Sequence, residues 1–229
     1  MLKSASSIKM LASVTSLDEA LLALDAGVDM LDLKNPAEGA LGALSKALVT
    51  ELVTAIHGRR VVSATIGDLP MQANLIVEAT QAMLATGVDI VKIGIFAQGQ
   101  HTECLSALKP LAANNKLIAV MFADQQPNLE LLPAIAQAGF YGVMLDTAHK
   151  NGQHLLNHMN HAQLTAFVNN ASALGLQVGL AGSLQAAHVQ ALCLIQPSYL
   201  GFRGALCEQS QRTLALDAAK ILTIKNMLH

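Results

Sequence analysis

The 229-residue sequence contains no tryptophan, and aromatic residues make up only 3% of it. Apolar residues nevertheless reach 52%, so the core is expected to be aliphatic, built from Ala, Leu, Val, Ile and nine Met. Parallel strands covered by helices have that composition, because both of their faces are buried. Charge is also scarce: 14 basic and 16 acidic residues leave a net charge of −2. There is no basic excess of the kind that binds nucleic acid or an anionic membrane surface. From Asn151 to Phe202 there is no Asp, Glu, Lys or Arg at all. Asn, Gln, His and Ser interrupt that stretch, and it holds no apolar run of about 18 residues, so a membrane span is not expected. Three cysteines (Cys104, Cys193 and Cys207) are scattered without C-x-x-C spacing. They read as small buried residues in a reduced, cytoplasmic setting. The first ten residues, MLKSASSIKM, carry no apolar h-region, so no signal peptide is expected.

What is present is a repeat of short β-rich runs and helical stretches. The runs are Met10–Val14, Met30–Lys34, Val61–Gly67, Ile90–Phe96, Leu117–Ala123, Gly142–Ala148, Gln177–Ser183 and Tyr199–Ala205. Between them lie Ala/Leu-rich segments of helical period. In the first, Ser16 and Glu19 form an S-x-x-E capping box ahead of a Leu17, Ala20, Leu21, Leu24 stripe. Gly27, Gly87, Gly139 and Gly175 each fall just before a strand, where a C′ glycine ends a helix. Repeated helix–glycine–strand units imply right-handed crossovers and a parallel sheet, and eight strands alternating with helices favour a closed barrel. The expected fold is α/β: a single-domain parallel (β/α)₈ TIM barrel over residues 1–229, with an open doubly wound sheet as the alternative.

A chain this poor in charge should keep its charges on helix surfaces, but many sit at strand ends. Asp32 and Lys34 alternate with Leu31 and Leu33, so they share one face of the second strand. Lys92 lies in the fourth strand, Asp146 ends the sixth with Lys150 just beyond, and Arg203 lies in the eighth. Asp68 and Asp124 follow the third and fifth strands. An unpartnered charge under the outer helices would cost several kcal/mol. The inner face at the C-terminal mouth tolerates charge, and barrel enzymes build their sites there. A purely structural ion-pair network, for example Asp32 with Lys34 or Asp146 with Lys150, is the bland alternative.

Clustered lysines suggest a chemistry. A desolvated lysine, or one crowded by cations, is partly a neutral amine. Such an amine attacks carbonyls to form a Schiff base, an electron sink for aldol chemistry. A second lysine or an aspartate can then move protons. Ala181-Gly182-Ser183 at the end of the seventh strand and Arg203-Gly204-Ala205 at the end of the eighth suit a phosphate, which barrels often hold at the loops that follow. His154, His158 and His161, with His149 nearby, have spacings that could hold a metal on one continuous helix. Asn160, however, looks like an N-cap with Gln163 at N3, which would split the row and leave ordinary solvated or packing histidines.

Longer motifs carry a resemblance. Asp29-Met-Leu-Asp-Leu-Lys-Asn-Pro-Ala-Glu-Gly-Ala-Leu-Gly-Ala43, Val62-Ser-Ala-Thr-Ile-Gly-Asp-Leu-Pro70 and Val91-Lys-Ile-Gly94 stand in order. So do Leu145-Asp-Thr-Ala148 with Lys150, Leu180-Ala-Gly-Ser183, and Gly201-Phe-Arg-Gly-Ala205 with Cys207. This set resembles the (5-formylfuran-3-yl)methyl phosphate synthases, also called 4-(hydroxymethyl)-2-furancarboxaldehyde-phosphate synthases, from about Ser13 to Arg212. The resemblance implies a carbon–oxygen lyase of methanofuran-type cofactor biosynthesis in one-carbon metabolism. Such an enzyme condenses two molecules of glyceraldehyde 3-phosphate.

It also implies roles. The Schiff-base lysine falls on Lys34, the general acid/base lysine on Lys92, and further site residues on Asp32, Asp146 and Lys150. Gly182, Ser183, Arg203, Gly204 and Asp68 are expected to bind substrate, with Arg203 and the Gly182–Ser183 and Gly204 backbone on its phosphate. No cofactor and no metal are implied. The expected partner is a small phosphorylated aldehyde, with self-association into a homo-oligomer left open. Two departures fall in loops: Met71 replaces a tyrosine common after the G-D-x-P element, and Glu208-Gln-Ser-Gln-Arg212 replaces a basic, glycine-containing stretch. Another aldolase or epimerase acting on one triose or sugar phosphate, and a non-catalytic metal- or ligand-binding protein, are the alternative functions.

Overall fold

The computed structural model describes residues 8–228. The absence of a signal peptide is an expectation about the first ten residues, of which the first seven lie outside that range. Eight parallel strands close into a barrel in the order β1 through β8. They are β1 Lys9–Val14, β2 Met30–Leu33, β3 Val61–Thr65, β4 Ile90–Ile95, β5 Lys116–Phe122, β6 Gly142–Asp146, β7 Gln177–Leu180 and β8 Tyr199–Phe202. Closure comes from β1 on β8, with Leu11 opposite Gly201. A continuous hydrogen-bonded ring removes the open doubly wound sheet from consideration.

The outer ring consists of α1 Leu17–Asp25, α2 Lys46–Ile56, α3 Ala73–Leu84, α4 His101–Ala112 and α5 Leu132–Gln137. It continues with α6 Leu155–His158, α7 His161–Ala173, α8 Ala186–Cys193 and α9 Ala218–Met227. Gly27, Gly87, Gly139 and Gly175 all have positive φ, between 80° and 86°, as helix-stopping residues require. Among the described residues no helix is long and apolar enough to cross a membrane.

Strand parity sorts the side chains into two cores. Leu31, Leu33, Val91, Ile93, Val143, Leu145, Val178 and Leu180 point outward and pack under the helices. Inside the barrel a second apolar cluster holds Leu11, Met30, Ile90, Ile118, Val120, Met144 and Tyr199. The Tyr199 ring lies over Gly179, where a Cβ would overlap it. Glycine on β7 therefore makes room for the aromatic residue contributed by β8.

Two residues further along each strand, about 6–7 Å, the inner face turns polar. Ser13 follows Leu11, Asp32 follows Met30, Lys92 follows Ile90 and Asp146 follows Met144, and all four are buried. The fold thus seals its lower end with aliphatic side chains and directs charge to the C-terminal mouth.

Several strands are shorter than the sequence suggests. β7 ends at Leu180 and β8 at Phe202. Beyond them Gly182 (φ 101°) and the Gly204–Leu206 3₁₀ turn bend the chain into the loops that rim the mouth. The Ser16–Glu19 capping box is only half formed. Ser16 accepts from the Glu19 amide at 3.3 Å, but the Glu19 carboxylate accepts from Thr15 N and Oγ1 and from Arg203.

Candidate active site

A cavity of about 270 Å³ opens at the mouth, its wall including Asp32, Lys34, Asp146, Lys150 and Arg212. Gly182, Ser183, Arg203 and Gly204 line the same wall. Most residues singled out from the sequence therefore meet in one place. Lys92 lies just beneath, 2% exposed, with Nζ 2.7 Å from Asp32 Oδ2 and 3.9 Å from Met144 Sδ.

Asp32 is fully buried and collects three donors. Besides Lys92, it accepts from Ser63 Oγ at 2.7 Å and from Ser13 Oγ at 3.2 Å. A buried carboxylate needs such a set, since an unmatched one would cost several kcal/mol. Burial pulls the Lys92 pKa below the ordinary lysine value; Asp32 opposes that shift and the Lys34 charge reinforces it. A buried lysine with a depressed pKa, hydrogen-bonded to a carboxylate, is suited to proton transfer.

Asp146 forms the other anionic centre. Lys150 Nζ donates to its Oδ1 at 2.8 Å, and Lys34 Nζ lies 3.7 Å from its Oδ2. Burial pushes the Asp146 pKa up, but Lys150 and Lys34 outweigh it and hold the carboxyl well below the usual range. Lys150 also donates to Thr147 O at 2.7 Å and Thr147 Oγ1 at 3.0 Å, so its three N–H bonds are engaged. Burial lowers the Lys150 pKa, Asp146 raises it, and Lys34 adds to the lowering.

Lys34 is different. Among the described residues its Nζ has one polar neighbour, Asp146, at a distance beyond a hydrogen bond. Of the three lysines it is the one whose amine reaches the cavity without being tied down.

Two of the expected phosphate- or substrate-binding residues are engaged within the protein. Arg203 gives all five N–H donors to the protein: Nε to Arg212 O at 2.8 Å, Nη1 to Ser13 O at 3.1 Å and Glu19 Oε2 at 2.6 Å, and Nη2 to Glu19 Oε1 at 3.0 Å and Leu214 O at 3.1 Å. A guanidinium has no sixth donor, so Arg203 has none left for phosphate. Asp68 stands outside the cavity wall. Its two oxygens accept from the Ala40 and Leu41 amides at 3.0 and 2.9 Å, which fixes the loop after β2. The Gly182, Ser183 and Gly204 amides, by contrast, have no protein acceptor among the described residues and remain free for an anion.

The sequence reading missed Arg212, which enters the cavity from the loop after β8. The one signal was its place in the basic, glycine-containing stretch from which this chain departs. Met71, the other departure, is buried and bridges to Gly99. The histidine row is divided: His158 ends α6, and Asn160 caps α7 reciprocally with Gln163. Among the described residues no group of three side chains could hold a metal.

Comparison with known proteins bears on the fold and the family. In shape, the chain superposes on phosphoribosyl anthranilate isomerase from Thermus thermophilus with a TM-score of 0.69 at 15% identity, covering 96% of this chain and 98% of the other. It also matches 3-hexulose-6-phosphate synthase from Salmonella typhimurium with a TM-score of 0.63 at 15% identity, covering 97% and 100%. At such identities the likeness establishes the barrel alone.

In sequence, the chain is 32% identical over 216 residues to the (5-formylfuran-3-yl)methyl phosphate synthase of Methanopyrus kandleri, covering 89% of this chain and 91% of the relative. It is 32% identical to the Archaeoglobus fulgidus synthase, covering 90% and 94%. A Methylorubrum extorquens protein provisionally given the same synthase name is 41% identical, covering 93% and 88%. The family model described as 4-HFC-P synthase matches residues 10–225, and the chain belongs to that family of synthases.

Proposed function

We propose that this enzyme is a carbon–oxygen lyase that forms (5-formylfuran-3-yl)methyl phosphate from two molecules of glyceraldehyde 3-phosphate, through a Schiff base on Lys34. The pathway supplied would be methanofuran-type cofactor biosynthesis in the cytoplasm. Family membership supports the product. The observation that carries the chemistry is the contrast among the lysines: Lys92 and Lys150 are tied to carboxylates, while Lys34 faces the cavity without a hydrogen bond. An amine attacks a carbonyl through its lone pair, and Lys34 is the least firmly held as a hydrogen-bonded ammonium of the three.

In this reading Lys34 condenses with one triose phosphate, releasing water, and the iminium acidifies the adjacent carbon. Lys92, held by Asp32, and Asp146, held by Lys150, move the protons of enolisation, carbon–carbon bond formation and elimination. The imine is hydrolysed when product leaves. Two three-carbon phosphates give one six-carbon furan monophosphate, one inorganic phosphate and two waters, with no net oxidation. The chain therefore needs no redox cofactor for this reaction. The free amides of Gly182, Ser183 and Gly204 receive phosphate oxygens.

The test is an incubation with glyceraldehyde 3-phosphate as the only substrate. The expected result is a near-ultraviolet furan chromophore appearing in equal amount with inorganic phosphate. Conversion to a non-absorbing sugar phosphate would instead establish an aldolase or epimerase acting on the same site.

A further inference from the structure

With Arg203 fully engaged, Lys150 bound to Asp146 and Thr147, and Lys34 read as the nucleophile, Arg212 is the cation on the cavity wall left for a phosphate dianion. That side chain lines the cavity and donates Nη2–H to Gly39 O at 2.9 Å. Among the described residues it has no other hydrogen-bond acceptor and no carboxylate within ion-pair distance, so four of its five N–H groups are without a protein acceptor.

Its mounting is elaborate for a loop residue. Gln209 and Ser210, neither of them glycine, adopt φ of 50° and 57°. Side chains with a Cβ rarely occupy that region unless the surroundings enforce it. The surroundings here do so. Arg203 holds the Arg212 and Leu214 carbonyls from below, Lys220 Nζ donates to Cys207 O at 2.8 Å, and Glu208 N donates to Ala215 O at 2.9 Å. On the far side the Gly39 carbonyl is steadied by Asp68 through the next two amides. Both ends of the Arg212 contact are therefore built.

We propose that Arg212 is the phosphate-binding cation of this pocket, and that the Glu19–Arg203 pair is the mount that positions it. The inference rests on reading the cavity as a site for a phosphorylated aldehyde. The planar guanidinium offers parallel N–H bonds to two phosphate oxygens, which an ammonium cannot reproduce. Glu19 sits one strand and helix away from the chemistry, yet it is the residue that orients Arg203 and, through it, the Arg212 backbone.

The experiment uses inorganic phosphate as the probe, titrated calorimetrically into the full chain and into R212Q and R212K. The native chain is expected to bind phosphate, R212Q to bind it about tenfold more weakly or worse, and R212K to fall between them. Arginine modification of the native chain by phenylglyoxal, mapped by peptide mass spectrometry, needs no variant. Arg212 is expected to react in buffer and to be protected by phosphate, while Arg203 stays unmodified. No phosphate binding by the native chain, equal affinity in R212Q, or phosphate-independent labelling of Arg212 would each overturn the proposal. These readouts do not depend on furan formation. A chain that binds phosphate through Arg212 but makes no furan refutes the proposed reaction and leaves this inference standing.

Discussion

Replacing Lys92 with methionine removes the ammonium from a pair with almost no access to water, since Lys92 is 2% exposed and Asp32 is 0% exposed. The Asp32 carboxylate would keep the Ser13 and Ser63 hydroxyls but lose its counter-charge. Breaking a buried pair by deleting one partner costs about 3–5 kcal/mol. The two remaining hydroxyl bonds place Lys92→Met near the lower end, about 3 kcal/mol, equivalent to a Tm roughly 6–12 °C lower for a chain of this size. Asp32→Asn strands the ammonium instead and should cost a similar amount. The double variant Lys92→Met/Asp32→Asn leaves no unmatched charge and keeps an acceptor for Ser63. It should therefore be destabilised by only about 1–2 kcal/mol, far less than the sum of the single changes. Urea unfolding followed by circular dichroism measures all four proteins, with m expected to stay constant. Additivity within about 0.5 kcal/mol would refute the account of a directly coupled buried pair.

Other consequences follow from the same geometry. Glu19→Gln should weaken the Arg203 mount by about 1–3 kcal/mol, read as a lower urea midpoint, because a buried charge-assisted pair becomes a neutral one. Gly179→Ala should cost about 1–3 kcal/mol by overlapping the Tyr199 ring. The same substitution in a Tyr199→Leu background should cost clearly less, and an equal cost in both would contradict the packing described. The depressed pKa of Asp146 contributes stability that is present above its unfolded value near 4 and lost as pH falls through the lower folded value. Acid titration of the melting temperature should therefore show a decline below about pH 4 that is shallower in Asp146→Asn.

Much of this site was legible because strand parity is a strict rule. Once Leu31 and Leu33 are placed under the helices, Asp32 and Lys34 must point inward, and the same rule places Lys92 and Asp146. Parity gives direction, not partners. Arg203 does line the cavity, but Glu19, 184 positions earlier in the chain, claims its guanidinium, and no local pattern reveals so distant a contact. That contact also explains why the capping box is incomplete, since Glu19 turned toward Arg203 and Thr15 no longer reaches back to the Ser16 amide. Asp68 was placed correctly at the end of β3, but its oxygens turned sideways to the loop after β2. Arg212 lies in irregular chain, where neither period 2 nor period 3.6 says which way a side chain faces.

The central claim is that Lys34 is the nucleophile, and borohydride trapping tests it most directly. The native chain is incubated with glyceraldehyde 3-phosphate, reduced with borohydride, digested and mapped by mass spectrometry. The account predicts a reduced adduct on the peptide containing Lys34, absent from Lys34→Ala. An adduct on Lys92 or Lys150, or no adduct under turnover conditions, would contradict it.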